Sequence, residues 1–191
     1  MGNASGRAKQ KPTILAAAPG VEPGIFSATF SEEADRDVVT LKSSGTQNAY
    51  FLPWKNGTYT ECEINLSMGL VDYFFTADLS GCSLWYKFDS GKMKIRHEAR
   101  TDKPSQRVHT LAGFQCVVDS SLNPDDVQLV LDDKTMVRTS RFYVVYALFD
   151  YDAKVADFRV QHVGQKKNLL SKAESYELIK VESVTVDFPR D

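Results

Sequence analysis

The sequence predicts an α+β fold, a mostly antiparallel two-sheet β-sandwich with one or two short helices. Three observations carry this prediction. Runs rich in Val, Tyr, Phe and Thr recur along the chain, as half-buried strands require. Turn signals separate them, notably Asn56-Gly57 and Ser90-Gly91-Lys92. Helix signals are few.

Residues 1–23, rich in Gly, Ala, Lys and Pro without periodicity, read as a flexible leader. This leaves 24–191 as one domain. Residues 25–31 and 38–43 are expected as its opening strands. Residues 49–54 and 58–66 flank Asn56-Gly57, a pair that tolerates positive φ and suits a hairpin turn. A second hairpin is expected from 83–89 and 93–98. Further strands are expected at 107–118, 127–132, 136–149 and 156–163, and residues 178–188 alternate cleanly as a late strand. The apolar spacing of 67–79 permits a helix that Ser67 could cap, and 168–177 could form a short one.

Composition narrows the function. The chain has 191 residues, 42% of them hydrophobic, enough to bury a core. A net charge of -2 does not suggest a nucleic-acid binder. No apolar run reaches the ~18 residues of a membrane-spanning helix, so no membrane association is expected. Residues 14–18 are too short an apolar stretch for a cleavable signal peptide. Gly6 stands where an N-myristoylation pattern needs Ser or Thr. The sequons at Asn3, Asn56 and Asn65 carry no weight without a secretory route.

Cys62, Cys82 and Cys116 are odd in number and lack CxxC spacing, so neither zinc nor a redox pair is expected. Asp150 and Asp152 lack cation-ligand spacing. Asp125-Asp126, Asp132-Asp133 and Lys166-Lys167 read as solvated turns and loops. Cys62 and Cys116 read as small buried hydrophobes. Cys82 differs because Gly81 precedes it. Glycine permits a tight turn and close approach of a substrate, and backbone N–H groups of such a turn can face an oxyanion. A thiol also needs a base to become a nucleophile. Of the three histidines, His97 lies on the second arm of the 83–89/93–98 hairpin. That hairpin brings residues 84–85 opposite 97 and places Cys82 and His97 at one end. His109 and His162 read as ordinary strand residues. On geometry alone such a Cys–His pair is more often structural than catalytic.

Two segments add a resemblance. Leu52-Pro53-Trp54-Lys55-Asn56-Gly57 and Asp72-Tyr73-Phe74-Phe75-Thr76-Ala77-Asp78-Leu79-Ser80-Gly81-Cys82 resemble the glutamine deamidase family that includes Burkholderia lethal factor, the catalytic domain of cytotoxic necrotizing factor and the chemoreceptor deamidase CheD. The resemblance spans residues 49–98. It implies a Cys82–His97–Thr76 triad, with Thr76 six residues before the cysteine, and an oxyanion site at Ser80 and Gly81. Trp54 is a candidate substrate contact. It further implies a cysteine-dependent protein-glutamine deamidase, a bacterial toxin or effector without cofactor or metal. Such a protein is secreted or delivered into a host cytosol and acts, as a monomer, on a host protein with an exposed glutamine. Specificity is expected in the loops 101–106 and 119–126. Transglutamination, a cysteine peptidase or amidase with the same dyad, and a non-catalytic β-sandwich binding module are the alternatives.

Overall fold

The structure is a computed structural model that describes residues 10–17, 20, 22–99, 112–120, 127–132 and 135–189. His109, the first part of the strand expected at 107–118, the loop 101–106 and most of the loop 119–126 lie outside the described residues. So do the turn residues Asp125-Asp126 and Asp133.

The described residues form a two-sheet β-sandwich without an α-helix. In chain order the strands are β1 (Thr13–Ala17), β2 (Gly24–Glu32), β3 (Asp37–Lys42), β4 (Ala49–Leu52), β5 (Tyr59–Asn65), β6 (Tyr73–Thr76), β7 (Ser83–Asp89), β8 (Lys92–Glu98), β9 (Gln115–Asp119), β10 (Gln128–Asp132), β11 (Thr135–Asp150), β12 (Val155–Asn168) and β13 (Glu174–Asp187). The larger sheet runs β1-β3-β2-β4-β6-β11-β12-β13, with β10 paired to β11. The smaller runs β5-β8-β7-β9. No helix of the described residues is long and apolar enough to cross a membrane.

Burial explains where the expected elements differ. The stretch 67–79, expected as a helix, is a turn followed by β6. Tyr73-Phe74-Phe75 is continuously apolar because β6 packs on both faces. Phe74 joins the core between the sheets, and Phe75 and Tyr73 join a cluster on the opposite face. A short two-sided strand cannot be told from a buried helix by periodicity. The stretch 168–177 is the turn into β13 and the start of that strand. Asn56-Gly57 does form a turn, with Gly57 at φ +68°, but the flanking strands do not pair. Instead β4 pairs β2 and β6, and β5 pairs β8 in the other sheet.

Within the expected leader, Thr13–Ala17 forms β1, parallel to β3. The side-chain amide of Gln161 accepts from Thr13 N (2.8 Å) and donates to Thr13 O (2.9 Å), and Ile14 packs with Val38, Val144 and Val163. The clip offers a backbone group the same two bonds that a neighbouring strand would.

The β7–β8 hairpin is as expected. Ser90 (φ +52°) and Gly91 (φ +76°) make a two-residue turn of the primed kind, and Leu84 stands opposite His97. β8 alternates from Lys92 to His97. Met93, Ile95 and His97 face the core, while Lys94 and Arg96 face out, opposite Glu63 and Glu61 of β5.

Candidate active site

Both β4 and β6 end at the same level, with Leu52 beside Thr76 in parallel register. From there the chain crosses twice to the smaller sheet, through 53–58 to β5 and through 77–82 to β7. The second crossing is pinned midway, where Leu79 exchanges both backbone hydrogen bonds with Tyr143 of β11 (2.8 and 2.9 Å). Gly81 follows at φ +79°, a conformation that side chains resist, and Cys82 enters the smaller sheet.

Two inward positions that the strand pattern reserves for apolar residues hold polar ones. Thr76 of β6 is 2% exposed, and His97 of β8 is fully buried. They meet across the sandwich, Thr76 Oγ1 to His97 Nδ1 at 2.7 Å. Thr76 Oγ1 also donates to the Leu52 carbonyl at 2.7 Å. A hydroxyl has one proton, and here it goes to Leu52, so Nδ1 carries the proton that Thr76 accepts. The neutral imidazole then has its lone pair on Nε2, an atom without a hydrogen-bond partner among the described residues. The opposite assignment would strip the Leu52 carbonyl of this donor and bury an unmatched N–H. Burial pushes His97 down from 6.5 to about 4, so it is neutral at pH 7.

Cys82 precedes Ser83, which pairs Glu98, so the continued register sets it diagonal to His97. It faces the same interior cluster as Leu84, Tyr86 and Ile95. Diagonal same-face neighbours have Cα atoms about 7–8 Å apart, with their side chains nearer. Cys82 is only 7% exposed and forms no disulfide. Its carbonyl accepts from both the N–H (2.9 Å) and the hydroxyl (2.6 Å) of Ser120. Ser120 carries no sequence motif, and the pairing of β9 with β7 alone brings it here.

The structure thus brings Thr76, His97, Gly81 and Cys82 to one end of the sandwich. Ser80 is half-buried and, with Asp78, borders a groove that also touches Arg138 and Gln165. Trp54, on the first crossing, is 52% exposed. The other thiols differ from Cys82. Cys62 is sealed in the core, and burial drives its pKa far up. Cys116, expected to be buried, is exposed on β9 at the margin of the smaller sheet. His162 stacks on Tyr143 at 4.8 Å within the β11–β12 ladder. Among the described residues no group of three or more His, Cys, Asp and Glu side chains is placed to hold a metal ion. Compared with known proteins, the chain matches no family model and no curated sequence.

Proposed function

We propose that the protein is a cysteine-dependent protein-glutamine deamidase of toxin or effector type, converting a glutamine of a host protein to glutamate. The observation that carries the reading is the buried imidazole of His97. Its Nδ1 is tied to Thr76, and its Nε2, without a hydrogen-bond partner among the described residues, lies on the face it shares with Cys82. An orphaned buried acceptor is destabilising, and a proton-accepting role accounts for its presence.

In this mechanism the Cys82 sulfur attacks the side-chain carboxamide carbon while the thiol proton passes to His97 Nε2. A neutral imidazole suits this general-base route, because the transfer accompanies bond formation and needs no preformed thiolate. Backbone N–H groups of the Ser80-Gly81-Cys82 turn are the candidate donors to the oxyanion. Collapse breaks the carbon–nitrogen bond, and His97 returns the proton so that ammonia leaves. Water then attacks the thioester with His97 again as base, releasing glutamate and the thiol. The sum is glutamine plus water to glutamate plus ammonia, with no cofactor. Thr76 holds the ring and its tautomer throughout.

Cys82 is only 7% exposed, which suits a carboxamide on a flexible two-methylene stem better than a peptide bond held in a folded backbone. The test is mass spectrometry of host-cell lysate treated with wild type and with Cys82→Ala. Gln-to-Glu conversion at a defined site with wild type alone is expected. New peptide termini would replace this reading with a peptidase, and identical lysates would remove it.

A further inference from the structure

We infer that Ser120 is a positioning residue that holds the Cys82 main chain so that its thiol presents to His97. The inference rests on the deamidase reading of the same site. Ser120 directly follows β9, whose last residue, Asp119, pairs Ser83. Its N–H to the Cys82 carbonyl, at 2.9 Å, simply continues that ladder. The hydroxyl bond to the same oxygen, at 2.6 Å, is an addition that the ladder does not require. Ser120 is 1% exposed, so this second donor acts away from water.

A second observation lies two residues along. The β7–β9 register slips between Leu84 and Trp85, because Leu84 pairs Val118 while Trp85 pairs Cys116. Val117 is the extra residue of a β-bulge, a device that re-aims side chains and often borders functional sites. Without the slip, Ser120 would not stand opposite Cys82. Gly81 sets the chain direction before the cysteine, and the doubly donated carbonyl fixes the peptide plane after it. Between them the Cα–Cβ direction of Cys82 has little freedom, as a near-attack geometry requires. A serine holding the ladder alone could be alanine. The hydroxyl is what the inference makes necessary.

The experiment follows alkylation of Cys82 by iodoacetamide across pH 5–9, read by peptide mass mapping, with exposed Cys116 of the same chain as internal reference. The variants are Ser120→Ala, Ser120→Thr, Ser120→Val and His97→Asn. Thr and Val match in size and differ in the hydroxyl. Wild-type Cys82 is expected to react below the ordinary thiol range in a His97-dependent way. Ser120→Ala and Ser120→Val should slow Cys82 about tenfold and move its pH midpoint toward about 8.5, the unassisted value. Ser120→Thr should stay near wild type, and Cys116 should not change. If Ala and Val leave the Cys82 profile unaltered while His97→Asn changes it, Ser120 is only a ladder residue and the inference fails on its own. If His97→Asn leaves the profile unchanged, the thiol–imidazole reading fails and takes the inference with it.

Discussion

The two crossings between the sheets leave the larger sheet side by side and do the same topological work, yet they are built differently. In the first, Pro53 is buried, and Trp54, Lys55, Asn56, Gly57 and Thr58 are exposed. It is held near its ends, by the Thr60 hydroxyl on the Pro53 carbonyl, by the Ala99 N–H on the Thr58 carbonyl (3.0 Å) and by a long Thr58 N to Lys55 O contact (3.4 Å). In the second, Leu79, Gly81 and Cys82 are buried, and four short hydrogen bonds tie it to β11 and to the end of β9. Parallel crossings create a place where two sheets converge. On the proposed deamidase reading, the anchored crossing holds the reactive thiol at fixed geometry and the looser one is the candidate to meet the protein substrate.

The largest test of this contrast is removal of the sulfur. Cys82→Ala should lower deamidation by about a thousandfold or more while leaving the far-UV circular dichroism intact.

Acid should act next. The folded-state pKa of His97, about 4, lies below its unfolded value of 6.5, so between these values the unfolded chain binds more protons. Stability should therefore fall as pH drops from about 6.5 to about 4, by up to about 3 kcal/mol from this group. Urea titrations at several pH values should show that slope in wild type and lose it in His97→Asn.

Thr76→Val keeps the shape but leaves the Leu52 carbonyl and the His97 Nδ1–H without this hydroxyl. A loss of about 1–3 kcal/mol is expected in chemical denaturation, with activity falling roughly 10- to 100-fold. Gly81→Ala should cost about 1–2 kcal/mol through its positive φ. The smallest effect belongs to the first crossing. Trp54→Ala should change stability by less than about 0.5 kcal/mol yet raise KM for the protein substrate with kcat little altered. A large drop in kcat there would erase the distinction between the crossings.

Much of this was legible beforehand. The hairpin turn at Ser90-Gly91 sets the β7–β8 register, so the placement of Leu84 opposite His97 could be read from spacing alone. Local turn chemistry determines local pairing. The partners of Leu52, Thr76 and Ser120 are non-local and had no such signal. Asn56-Gly57 looks like a hairpin because the dipeptide reports only a turn, not which sheet each flank enters. Ser120 was invisible, because nothing in a lone serine after a strand indicates whose carbonyl it will meet. Thr76 was found through its offset from Cys82 in a resembling family, whereas its hydroxyl contact with the imidazole depends on two sheets closing.

The Gln161 clip on Thr13 joins positions separated by 148 residues. During synthesis β1 can pair with β3 early, but the clip, and the packing of Ile14 on Val144 and Val163, must wait until β11 and β12 have left the ribosome. A chain stalled before β11 would therefore leave the Val144- and Val163-facing side of Ile14 uncovered, open to chaperones and proteases.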